Sequence, residues 1–205
     1  MKKLGHLVFV SAVIALLGIT GGCSKEAKRA RHMERAERHY AAGDYNKAEI
    51  EYINTLRIDQ TKVDATKALA YERLGTMSLE QGRLSRAYGA LVQACKWDTN
   101  NLDFRYQLGL IYLHLGKFKE ARGEANFILD RRAQDEQAPL LLADASTTPK
   151  DIDASRQRLQ KLAIPQAKRA AVEVALGNLS LRQRDIKTAG EAFARAKLAD
   201  PNVGA

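Results

Sequence analysis

Between Leu102 and Asp135 apolar side chains recur every three to four residues, break once, and resume. Leu108, Gly109 and Tyr112 fall on one face of a first helix, and Ala121, Ala125 and Ile128 on one face of a second. Gly116-Lys117-Phe118 supplies the turn between them. Gly109 and Ala121 are small, which predicts close approach of the two helix backbones at that level.

The same pattern returns along the chain. Gly75 and Gly109 are 34 residues apart, and Gly109 and Gly177 are 68 apart. Leu84, Phe118 and Ile186 keep these steps, as do Ala87, Ala121 and Ala189. Upstream, Ala48 to Ala87 and Asp59 to Asp98 are each 39 residues, one period plus five residues around Val63–Lys67. Those five residues are expected to lengthen the following helix by just over a turn. Leu-Gly, then Tyr, then Gly-x-Phe-x-x-Ala at a 34-residue period resembles the tetratricopeptide repeat.

The expected fold is therefore all-α. The resemblance implies a right-handed α-solenoid of about five helix pairs, at about 29–62, 68–101, 102–135, 136–169 and 170–203 within an array spanning 30–203. The fourth pair is degenerate. Leu142-Ala143 stands for Leu-Gly, Thr147-Thr148-Pro149 for the turn, and Ser155 for Ala. Pro139 falls near a helix start, where proline is tolerated. Ile186, Ala189, Phe193 and Ala196 in the last pair are expected to lie uncovered, to be met by further chain of a longer protein, by a partner, or by self-association.

Residues 1–22 read as an export signal. Lys2 and Lys3 precede an apolar run of about 13 residues, Leu7 to Ile19, short of the ~20 that span a bilayer. Thr20-Gly21-Gly22-Cys23 resembles the lipobox of bacterial lipoproteins, although Thr20 stands where Leu is commonest. The resemblance implies lipid attachment at Cys23, a membrane anchor, and removal of the signal. Ser24 after the Cys implies the outer membrane facing the periplasm. Residues 23–29 are then a short linker, reaching about 20 Å at full extension.

Composition narrows the chemistry. The formal net charge of +9 falls to about +7 without Lys2 and Lys3, and reads as a solvated basic surface or as attraction to an anionic partner. Export leaves no nucleic-acid partner. With Cys23 acylated, Cys95 would have no disulfide partner and reads as a buried structural thiol. His32 and His39 lie two helical turns apart, but nothing completes a metal set. Neither HExxH, GxSxG, CxxC nor a phosphate-binding glycine loop occurs. No cofactor, no metal and no catalytic activity are expected.

A surface remains. In tetratricopeptide proteins the first helix of each pair lines a concave groove, and the resemblance assigns Met33, Glu37 and Tyr40 to it, then Glu72, Thr76 and Leu79. The third pair gives Tyr106, Leu110, Leu113 and His114, the fourth Leu140 and Asp144, the fifth Val174, Asn178 and Leu181. Such a trough suits an extended or helical peptide. Only Asn178 matches the Lys and Asn with which some repeats grip a C-terminal carboxylate. Cys-Ser-Lys followed by Gly-Asp-Tyr-Asn-Lys-Ala-Glu-Ile-Glu-Tyr further resembles the repeat lipoproteins of exopolysaccharide and PEP-CTERM systems. This implies a scaffold for envelope proteins. The alternatives are an assembly lipoprotein for a pilus secretin or β-barrel, and a direct binder of acidic polysaccharide.

Overall fold

The computed structural model describes residues 24–58 and 64–202. The signal segment, Cys23 and Val63 lie outside them. Among the described residues ten α-helices follow one another in five pairs. They are α1 (Lys25–Ala41) and α2 (Tyr45–Arg57), α3 (Ala65–Glu80) and α4 (Leu84–Trp97), α5 (Leu102–His114) and α6 (Phe118–Arg131), α7 (Ala138–Asp144) and α8 (Pro149–Gln160), α9 (Ala170–Arg182) and α10 (Ile186–Ala199). No strand occurs among the described residues.

The first helix starts earlier than its repeat register suggests. Ser24 caps it by accepting from the Ala27 N–H at 3.1 Å, so helix begins at Lys25 inside the segment read as linker. Ser at an N-cap satisfies a donor the helix cannot. The extra residues before the second pair are partly helical too. Asp64 caps α3 through the Lys67 N–H, which adds Ala65, Thr66 and Lys67 to the helix.

Four of the five turns share one construction. In the third pair the Lys117 N–H donates to the Tyr112 carbonyl at 2.8 Å and the Gly116 N–H to Leu113 at 3.0 Å. This double closure requires a left-handed residue after the helix. Gly43, Gly82 and Gly116 supply it at φ +74°, +70° and +67°, and Arg184 occupies the same place at +62°. A side chain there costs about 1–2 kcal/mol, less what glycine adds to the unfolded chain's freedom. Arg184→Gly is expected to raise the unfolding free energy by about 0.5 kcal/mol, read as a shifted urea midpoint at unchanged slope.

The fourth pair closes differently. The Ser146 hydroxyl donates to the Leu142 carbonyl at 2.7 Å and lies 2.7 Å from the Ser155 hydroxyl. Ser155 therefore fills the Ala column with half of a buried hydroxyl pair. Elsewhere each first helix packs chiefly on its own partner, but α7 packs on α6 and α9 more than on α8. One cluster of buried side chains consequently runs from Ala121 on α6 to Ala192 on α10.

The small column is explained by what fills it. A Cβ on Gly75 would lie 2.5 Å from Leu91 Cγ, and one on Gly177 2.3 Å from the Phe193 ring. Both intruders come from the paired second helix. Gly109 departs from this: its partner column holds Ala125, too short to fill the gap, and a Cβ would meet Leu141 Cδ2 at 2.5 Å. Close approach at Gly109 thus serves a side chain of the next pair rather than the α6 backbone. Tyr52 occupies the corresponding place over Ala36, and both are fully buried.

The last pair corrects one expectation. Ala189 and Ala196 are buried, and Phe193 turns inward onto Gly177. Its large exposed apolar residues are Leu181, Ile186 and Leu198.

Candidate functional site

The first helices carry the residues assigned to the groove, and every assigned residue except Glu72 keeps solvent-accessible surface. Each sits on one face of its helix because the opposite face is consumed by packing. On α5, Phe104, Leu108 and Ile111 are buried, which turns Tyr106, Leu110 and Leu113 outward while their bases still touch the core. Leu140 repeats this on α7. Met33 and Tyr40 do the same against the first core cluster. These residues act in both roles, as edge of the core and as accessible surface.

The richest constellation joins the first two pairs. Glu37 Oε1 accepts from the Tyr52 hydroxyl at 2.7 Å and from Arg73 Nε at 3.4 Å. The Arg73 guanidinium stands 4.8 Å above the Tyr40 ring, a favourable cation–π placement, and lies 3.4 Å from Glu72 Oε2. Tyr45 and Tyr52 flank Tyr40, with ring centroids 5.7 and 6.5 Å away. Arg73, Tyr45 and Tyr52 were outside the assigned columns. Arg73 immediately follows a groove position, so its charge beside Glu72 was the available signal.

Glu72 is 7% exposed. Its Oε1 accepts from Thr76 Oγ1 at 3.0 Å, whereas Oε2 has no hydrogen-bond donor. Burial raises its pKa; Arg73 and the Thr76 hydrogen bond oppose this, and the charges of Glu37 and Asp103 add to it. A carboxyl with a raised folded value stabilises the fold below the ordinary carboxylate range, and this contribution is lost as pH rises through the raised value. Glu72→Gln is therefore expected to be more stable than the parent at pH 7. The gain should shrink as pH falls toward the carboxylate range, in paired urea titrations.

Farther along, burial raises the Tyr106 pKa, with Asp135 and Asp144 adding to it. Asp144 itself pairs with Arg182 of the next first helix at 3.4 Å. His114 is exposed, its Nδ1 2.8 Å from the Leu110 carbonyl. Asn178 is half-buried and Leu181 is 43% exposed. The structure thus gathers Glu37, Tyr40 and Glu72 about Arg73, and places Tyr106 near Asp144. It ties His114 only to the Leu110 carbonyl one turn back on the same helix, and among the described residues it brings Asn178 to no other assigned residue by a hydrogen bond.

Elsewhere the ionisable groups offer little chemistry. Cys95 is buried, which pushes its thiol up to about 11. Among the described residues no three His, Cys, Asp or Glu side chains could hold a metal ion together. No described helix is long and apolar enough to cross a membrane.

A tetratricopeptide-repeat family profile matches residues 78–145, about a third of the chain. No curated protein matches it in sequence. Among solved structures, a tetratricopeptide repeat protein from Parabacteroides merdae superposes with a TM-score of 0.71 at 16% identity, covering 86% of this chain and 68% of that one. MamA from Desulfovibrio magneticus gives 0.67 at 19% identity, covering 87% and 98%. YrrB, described as a tetratricopeptide protein with an unusual peptide-binding site, gives 0.63 at 17%, covering 84% and 86%. The fold is that of a tetratricopeptide solenoid.

Proposed function

We propose that this chain is a non-catalytic scaffold that holds a segment of another envelope protein along its row of first helices. The observation that carries this reading is the run of Tyr106, Leu110, Leu113 and Leu140, apolar side chains left half-open on consecutive first helices. A partner segment would cover what the core leaves uncovered, and its hydrophobic burial would drive binding. The peptide-binding site named for YrrB supports the same use of the fold.

Two groove acids, Glu37 and Asp144, are matched to arginines, and their bonds hold the pairs together rather than poise a base or nucleophile. That favours binding over turnover. Lipidated Cys23 would hold the array at the outer membrane. Because helix begins at Lys25, the first pair would sit close against that surface. The resemblance of residues 23–59 makes assembly or export of exopolysaccharide, in a PEP-CTERM-type system, the favoured setting.

The test is capture after crosslinking of the lipidated protein from its own membranes, beside a Tyr106→Ala, Leu110→Ala variant. Envelope proteins recovered with the parent and lost with the folded variant are expected. Identical recovery with both would overturn the groove reading.

A further inference from the structure

In the first two pairs α2 and α4 finish, and α3 begins, at the same end of the array. A cavity of about 450 Å³ lies where they meet. Its walls are Ile53, Leu56 and Arg57 from the last turns of α2, Lys67 and Tyr71 from the first turns of α3, and Trp97, the final residue of α4. None of the six belongs to the groove columns. The volume is that of a small-molecule site, and more than one peptide side chain fills.

Lys67 is the unusual wall. It is only 2% exposed, yet no carboxylate among the described residues pairs with it. Its ammonium faces the Trp97 ring instead, 5.2 Å from the centroid. Lysine is almost never buried to this degree without a partner, because a charge taken from water is costly unless paired. A ring face offsets only part of that cost. Trp97 carries an independent mark. Its Nε1–H, which can only donate, is sealed from water and has no acceptor, a deficit native structures seldom leave. Arg57, exposed, adds a second cation to the walls. The described walls thus hold two cations and an unused N–H donor, with apolar Ile53 and Leu56, and no carboxylate.

We propose that this cavity binds a small organic carboxylate with an apolar or aromatic body. The carboxylate pairs with Lys67 and Arg57, and the body packs against Ile53, Leu56 and the Tyr71 ring. Pairing gains strength there because ligand and protein together exclude water from the charges. An inorganic anion fills too little of the volume to cover the apolar walls. Among the described residues the first two pairs carry more Lys and Arg than Asp and Glu, so the longer-range field also favours an anion. Because the cavity is separate from the groove, ligand and partner segment can be held at once.

Trp97 is the only tryptophan of the chain, so its fluorescence reports this cavity directly. The full chain is titrated with hydrocinnamate, with the uncharged hydrocinnamide, and with galacturonate. A saturable change with hydrocinnamate is expected, with affinity at least tenfold weaker for the amide. Affinity for the acid should fall about tenfold in Lys67→Met, the size of one charged hydrogen bond, and should also fall in Arg57→Gln. Circular dichroism confirms that each variant is folded, and Arg57→Gln, at an exposed position, tests the charge even where Lys67→Met does not fold. Equal affinity for acid and amide, or unchanged affinity in the folded variants, would overturn the anion site. No saturable change with either acid would overturn it as well. Saturation by galacturonate with none by hydrocinnamate would overturn the apolar body and make the ligand an acidic sugar. The groove reading stands apart from all of these outcomes, since it depends on Tyr106 and Leu110.

Discussion

Leu141→Ala is expected to lower the unfolding free energy by about 3–4 kcal/mol, near the upper part of the range for buried Leu truncations. Two deficits coincide at this position. Gly109 has no side chain, and Ala125, opposite it, is too short to reach across. Leu141 from the following pair fills both gaps, its Cδ2 where a Gly109 Cβ would stand. Truncation opens a cavity at the joint between the third and fourth pairs, where α7 is already short and packs weakly on its own partner α8. The neighbours are held by α6 and α9 and can collapse little. Leu140→Ala is the comparison. Leu140 is half-buried on the same short helix and should cost about 1 kcal/mol, in proportion to the smaller area it hides. Urea unfolding followed by circular dichroism distinguishes them.

Gly177→Val carries the second large effect, a loss of about 3 kcal/mol. The Phe193 ring lies so close that even a Cβ would be 2.3 Å from one ring atom and 2.7 Å from two more. A ring cannot yield as a flexible chain end does, so α9 and α10 must separate or the ring must leave its pocket. Valine adds bulk beyond Cβ and is a poorer helix former than alanine. Phe193→Ala in the same chain should recover part of the loss, because it removes the obstacle. That non-additivity identifies overpacking as the cause; a simple sum of the two penalties would reject it.

The periodic columns make the fold legible in the sequence. Glycine or alanine opposite a larger residue fixes how near two helices can come, so Gly75, Gly109 and Gly177 revealed the register by necessity. What they could not reveal was the exchange at Gly109. Its reason lies in Ala125 and Leu141, two columns that a single-repeat reading treats separately. The start of α1 was legible in Ser24, a good N-cap, but the register pointed to residue 30 and masked it. In the last pair, the repeat register alone puts Ala189 and Ala196 on an uncovered stacking face. As small residues they belong under α9, and the surface falls to Ile186 and Leu198, 69% and 85% exposed.

The groove was legible as columns and less so as chemistry. Tyr106, Leu110 and Leu113 follow from the helical period, since three buried neighbours on α5 determine which face remains. Arg73 was not in the columns, although it links Glu37, Glu72 and Tyr40. Its role depends on a side chain long enough to reach from α3 to α1, a reach that spacing along one helix does not express.

The central claim is that partners lie along the first helices and not along the second. A photo-crosslinking residue placed at Leu110, and separately at Ile50, 59% exposed on α2, asks this directly in membranes. Adducts with another envelope protein from position 110, with few or none from position 50, are the predicted result. Adducts from position 50 alone would place the binding surface on the second helices and contradict the account.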